Sequence, residues 1–293
     1  PGQLKKLESD PSVKYIKEDQ IVTLIEPLAR IKVKPTPQPT AEIVPWGIAR
    51  VNGGVSYSGN NKIWIIDTGI DLDHPDLNVD TNSGWNFVAN IQAADDDNGH
   101  GSHCAGISAA IDNEIGVIGV AAGAPVVPVK VLNKRGSGAY SIIIAGIDWV
   151  ADHGVSGDVA NMSLGGSYYQ PINDAVYNAS LNGIKFSLAA GNESTNAATK
   201  SPASVNGTNI FTISAMGEGD IWAYFSNYGN PPIDYCEPGI SIYSTYKSGG
   251  YSTLSGTSMA APHMAGLLLL GNIRNGGTVS GDPDGNPDII GVH

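Results

Sequence analysis

Charge is scarce in this chain. Asp, Glu, Lys and Arg make up 15% of its 293 residues, against about 25% in an ordinary soluble domain. Positive charge is scarcest, with 16 Lys and Arg against 28 Asp and Glu and a net charge of -12. Phosphate backbones and anionic bilayers call for a concentrated basic face, so neither nucleic acid nor a membrane is an expected partner. The longest apolar run is the tetraleucine of Gly266 to Gly271, far short of the ~18 residues of a spanning helix. Cysteine is nearly absent. Cys104 and Cys236 make no disulfide framework and show no CxxC or His/Cys ligand spacing, so they do not reveal a compartment. An initiator Met and a signal-peptide start are also missing, which reads as a processed or trimmed piece. Finally, KIWIIDTGID at 62 to 71 carries the only Asp-Thr-Gly of the chain. A proton shared by two carboxylates needs two such units, so a paired-carboxylate protease is excluded.

Glycine, by contrast, is abundant at 37 residues, which implies many tight turns and close backbone approaches. Residues 1–40 are charged and end in KVKPTPQPT, where Pro35, Pro37 and Pro39 enforce an extended linker. A boundary therefore falls at Thr40. From Ala41 onward apolar runs alternate with helical patterns. The runs are KIWIID, PVVPVKVL, DVANMSLG, IKFSLAAG and NIFTISAMG. SIIIAGIDWVADHG places Ile143, Ile147 and Val150 at helical spacing, and PINDAVYNASLNG is a helix stopped by Gly183. This βαβα order predicts an α/β fold: a mostly parallel central sheet with helices on both faces, in three α/β/α layers around one main core.

In such sheets working groups gather at the carboxyl ends of strands, and Asp67, the Asn161 to Gly166 segment and Ala189 to Asn192 fall there. DNGHGSHCAG at 97 to 106 offers His100 and His103 as general base, as satisfied histidines or as an i, i+3 metal pair. The glycines flanking His100 let it approach another backbone closely. SGTSMAAPHMAG at 255 to 266 puts Ser258 ahead of an apolar helix reaching Leu270. Alone that serine reads as a cap, although the helix dipole there favours a developing anion. Asp67, His100 and Ser258 follow one of the known chain orders of the serine triad.

The blocks IIDTGID, GHGSHCAG and SGTSMAAPHMAG resemble the signatures of the subtilisin-like serine proteases, with features of both the subtilisin and the proteinase K branches. NMSLGG, AAGNES and FSNYG extend the resemblance over roughly residues 41–270. It implies Ser258 as nucleophile, His100 as base, Asp67 as orienting acid and Asn192 as oxyanion donor, with no organic cofactor. It implies an extended substrate between Gly136, Ser137, Gly138 and Tyr140 on one side and Ser163, Leu164 and Gly165 on the other. Ala190 and Gly191 leave room for a primary side chain, and Glu193 and Lys200 fall on the rim and floor of that pocket. Cys104 resembles a buried free cysteine with a packing role.

AAIDNEIGVIGVA at 109 to 121 resembles a calcium loop of the family. Its implied oxygen ligands are Glu42, Asp76, Asn113 and the carbonyls of Ile111, Ile115 and Val117, a shell suited to structural Ca²⁺. Asp282, Asp284 and Asp288 read as a solvated turn rather than a second cation loop. Residues 1–40 resemble the C-terminal remnant of an inhibitor propeptide plus linker, and 41–293 the catalytic domain, with processing at Thr40/Ala41. The expectation is a secreted, monomeric, calcium-stabilised zymogen that hydrolyses protein and peptide substrates and is inhibited by its own propeptide. The alternatives are a peptide ligase or cyclase using the same acyl-enzyme, and a catalytically silent binding module.

Overall fold

The computed structural model describes residues 2–24 and 41–293. The proline-rich linker and Thr40 lie outside the described residues. A ten-stranded sheet forms the centre, nine strands in one path and the tenth, Ile221–Trp222, antiparallel to the end of Ile210–Gly217. Its order from one edge is Arg274–Thr278, Ile289–Val292, Ile233–Pro238, Ile210–Gly217, Lys185–Ala189, Val159–Met162, Ile63–Asp67, Val126–Lys130 and Trp85–Asn86. Every pairing from Ile289–Val292 to Trp85–Asn86 is parallel.

The expected three layers are present. Successive residues of a strand point to opposite faces, and Ile63–Asp67, buried throughout, shows the consequence. Ile63 and Ile65 join the core under the helices His100–Ala109 and Thr257–Leu270, whereas Trp64 and Ile66 join the core under Tyr140–His153 and Gln170–Ser180. Helix Tyr140–His153 buries Ile143, Ile147 and Val150, the stripe its spacing predicts. The helix before Gly183 ends earlier, at Ser180, and Gly183 follows at φ 82° after a short turn.

The C-terminal tail is more than turns. Ile289–Val292 adds to the sheet beside Ile233–Pro238, and Arg274–Thr278 folds back on it. Asp288 is buried there, accepting hydrogen bonds from Ser214 Oγ at 2.5 Å and Asn230 Nδ2 at 2.8 Å. This local side-chain pairing, rather than solvent, satisfies it. Among the described residues no helix is long and apolar enough to cross a membrane.

Candidate active site

Two segments meet where strand Ile63–Asp67 ends. The helix His100–Ala109 begins against the turn after Asp67, so closely that a Cβ on Gly101 would lie 2.0 Å from the Gly69 carbonyl oxygen. Gly99 enters the helix at φ 112°. Both glycines flanking His100 are therefore required by the approach, as the sequence suggested. The result is a histidine whose Nδ1 stands 2.9 Å from each oxygen of the Asp67 carboxylate. A carboxylate only accepts, so Nδ1 carries the proton and Nε2 is left as the basic nitrogen. Nε2 is buried without a hydrogen-bond partner among the described residues. Burial, the largest single influence, would lower the imidazole pKa, but the charge and hydrogen bond of Asp67 together with Cys104 outweigh it and raise His100 well above its usual value.

Asp67 and the histidine helix are fixed by a second carboxylate that the sequence reading missed. Asp96 accepts the Gly99 N–H at 2.8 Å, the Ser102 N–H at 2.9 Å and the hydroxyls of Thr68 and Ser102. It caps the helix and, through Thr68, ties it to the residue after Asp67. Its position four residues before His100 was the available signal.

Ser258 stands in the first turn of helix Thr257–Leu270, wholly buried. Its hydroxyl donates to the Ser163 carbonyl at 3.1 Å, while Ser163 Oγ donates to the Ser258 carbonyl at 2.8 Å. Ser163 thus holds the serine itself, which differs from its expected place along the substrate. Asn192 accepts from Thr257 N and Thr257 Oγ1, both at 2.9 Å. A backbone N–H can only donate, so this bond identifies the oxygen of the Asn192 amide and turns its NH₂ to the other edge. Gly256 keeps that space open, since a Cβ there would come within 3.1 Å of Asn192 Nδ2.

The other histidine has a structural post. His103 is buried, its Nε2 lies 3.1 Å from the carbonyls of Ile242 and Ser252, and burial depresses its pKa to about 3. That pairing replaces the metal-pair alternative. Cys104 packs beneath the site with its Sγ 3.9 Å from His100 Nδ1, and it donates to the Ser258 carbonyl.

Residues 21–24 lie between the two segments read as substrate edges. Ile21–Thr23 pairs antiparallel with Ser137–Ala139, Leu24 N–H donates to the Gly136 carbonyl at 2.7 Å, and Leu24 bridges Leu164. Val22 alone of that strand is enclosed, at 2% exposure, near Gly166 and Tyr140. Upstream, Asp19 accepts from Ser141 N and Oγ at the start of helix Tyr140–His153, and Lys14 and Tyr15 share Asp174. Beyond Leu24, Gly165, Ala190, Gly191, Glu193 and Lys200 line one pocket.

The residues read as calcium ligands are tied to one another by backbone hydrogen bonds. Glu42 accepts the Asn113 N–H at 2.9 Å, and Asp76 accepts from Val117 N and, through its carbonyl, from Ile111 N. Asn113 Oδ1 takes the Ile115 N–H at 3.1 Å, closing the loop. Asp76 Oδ1 is buried with no partner, and burial, aided by the Glu42 charge, pushes Asp76 up to about 7. Among the described residues that carboxylate oxygen has no partner, and with a second acid near enough to raise its pKa it fits a hard cation.

Cys104 links the two segments, its Sγ 3.9 Å from His100 Nδ1 and 3.4 Å from the Ser258 carbonyl oxygen, so the carboxylate–imidazole pair and the serine, the residue set of a serine hydrolase, stand on neighbouring helix ends of a parallel α/β sheet. The Subtilase family model matches residues 58–275. Subtilisin E of Bacillus subtilis is 39% identical over 277 residues, covering 91% of this chain and 67% of that protein. Alkaline serine exoprotease A of Vibrio alginolyticus is 39% identical over 280 residues, covering 92% of this chain and 50% of the relative. The chain therefore spans half to two thirds of the length of these relatives. A crystal structure of a cold-adapted subtilisin-like serine proteinase superposes with a TM-score of 0.73 at 34% identity, over 84% of this chain and 96% of that one. The chain belongs to the subtilase family.

Proposed function

We propose that this chain is a serine endopeptidase, and the observation that carries the reading is the His100 imidazole held by Asp67 with a buried, unpartnered Nε2 beside the Ser258 helix. The Ser258 hydroxyl turns from the Ser163 carbonyl towards Nε2, gives up its proton there and attacks the scissile carbonyl. The imidazolium, stabilised by Asp67, passes that proton to the leaving amine, and water repeats the sequence on the acyl-enzyme. The Asn192 NH₂ and the Ser258 N–H stabilise the oxyanion. Substrate binds as an extra strand against residues 136–139.

Residues 1–40 serve as a propeptide remnant and linker, and residues 41–293 as the catalytic domain. Residues 21–24 occupy the substrate edge, which supports the leader as the chain's own inhibitor. Residues 21–24 hold the edge on which a substrate would lie. Processing at Thr40/Ala41 then needs the strand to leave or a second molecule to cut. Secretion as a monomer, and a structural Ca²⁺ held by Glu42, Asp76, Asn113 and the carbonyls of Ile111, Ile115 and Val117, complete the reading. The ion would neutralise the two carboxylates and pin the chain near Ala41 to the body.

Intact mass measured over time on the parent chain and on Ser258→Ala, with calcium, tests this. Loss of an N-terminal piece in the parent only supports the reading, and the mass of that piece locates the cut. An active Ser258→Ala chain refutes it.

A further inference from the structure

One buried side chain is wrapped by the loop that presents Asn192. Asn227 is 0% exposed, and its amide bonds only to residues of the 190–195 loop. Nδ2 donates to the Ala190 carbonyl at 2.8 Å and to Glu193 Oε2 at 2.7 Å. Oδ1 accepts the N–H groups of Glu193 at 3.1 Å and Thr195 at 2.9 Å, and the Thr195 hydroxyl at 3.3 Å. The backbone N–H of Asn227 donates to the Gly191 carbonyl at 2.9 Å. Asn192 is therefore flanked on both sides by backbone groups bonded to this one residue. Gly191, at φ 109°, lets the loop close so tightly, since a Cβ there would lie 2.2 Å from Asn227 Nδ2. Asn227 is also fixed from behind, because the Ser226 hydroxyl donates to its carbonyl at 3.1 Å and accepts the Ala215 N–H of strand Ile210–Gly217 at 3.0 Å. That strand is the parallel neighbour of Lys185–Ala189, from which the loop departs.

Resting on the endopeptidase reading, we infer that Asn227 is a positioning residue for the reaction, acting through Asn192 by anchoring its loop to the sheet where the Asn192 NH₂ meets the oxyanion. Thr257 fixes which way the Asn192 amide faces, and Asn227 fixes where its backbone stands. These are separate requirements, because a donor stabilises an oxyanion only over a narrow range of distance, and a displacement of about 1 Å can cost about 10²-fold in rate. Without the Asn227 amide, two N–H groups and one carbonyl of the loop lose their partner. Buried polar groups left so are costly and turn towards any other partner they can reach. The Asn192 side chain moves with them.

A double-mutant cycle tests this, with kcat measured on one peptide substrate for the processed parent, Asn227→Ala, Asn192→Ala and the double variant. Asn227→Ala should lower kcat by about tenfold or more in the parent. Once Asn192 is alanine there is no amide left to misplace, so the same change should lower kcat by less than about twofold. A general loss of folded enzyme would lower kcat by the same factor in both backgrounds, so misfolding cannot imitate the coupling. If Asn227→Ala does not fold, Asn227→Asp takes its place in the cycle, since it keeps the size and the acceptor oxygen but sets a negative charge against the Ala190 carbonyl and the Glu193 carboxylate. Equal losses in both backgrounds, or no loss in either, overturn the inference and leave the endopeptidase reading standing. A processed parent that cuts no peptide overturns both.

Discussion

Val22 is the residue on which the leader's hold on the cleft can be measured. It is the one enclosed position of the strand Ile21–Thr23, 2% exposed in a core shared with Tyr140, Leu164 and Tyr169. Val22→Ala removes two methyl groups, at about 0.8 kcal/mol each, and leaves a small void that adds a few tenths of a kcal/mol. The sum, roughly 2 kcal/mol, corresponds to about thirtyfold weaker binding. Thr23, exposed on the opposite face of the same strand, loses little, so Thr23→Ala should stay within about twofold. The assay is inhibition of the processed enzyme by a synthetic peptide of residues 2–24, with Ki read from cleavage of a chromogenic substrate. Both variants pay the same ordering entropy as the parent peptide, so the ratio isolates side-chain burial. If Val22→Ala and Thr23→Ala weaken inhibition equally, or Val22→Ala by less than about threefold, the strand does not occupy the substrate edge.

The oxyanion role predicts that Asn192→Ala lowers kcat with KM nearly unchanged. The corresponding change in subtilisin costs about 10²–10³, and single-turnover kinetics on a peptide substrate would check it. The raised His100 pKa places the acid limb of kcat/KM above the free imidazole value of about 6.5, because only the neutral ring accepts the serine proton and activity is lost as pH falls through that pKa. Asp67→Asn removes the charge that raises it, so the limb should move to lower pH as kcat falls; a pH profile with an unmoved limb contradicts the assignment. Calcium chelation should lower the melting temperature of the parent. An ion present at a hundred times its Kd contributes about 2.7 kcal/mol. Asp76→Asn should blunt the response, and a chelator-insensitive parent would remove calcium from the loop.

The sequence by itself determined the layered sheet and the chemical cast. Alternating apolar runs and helical stripes such as Ile143, Ile147 and Val150 are local consequences of strand and helix periodicity, and they survive as written. Asp67, His100, Ser258 and Asn192 were legible through the resemblance of IIDTGID, GHGSHCAG, SGTSMAAPHMAG and AAGNES to the subtilase signatures, since alone Ser258 reads as a helix cap. Tertiary structure alone decided which side chains serve those blocks from a distance. Ser163 gripping Ser258 is a contact across 95 residues, and no periodicity encodes it. The seating of residues 21–24 against Ser137–Ala139 and of Ile289–Val292 between Ile233–Pro238 and Arg274–Thr278 is of the same kind. A short strand has no preference of its own for a partner. Its place is fixed by the unpaired N–H and C=O groups of an edge and by the one pocket that buries its inward side chain.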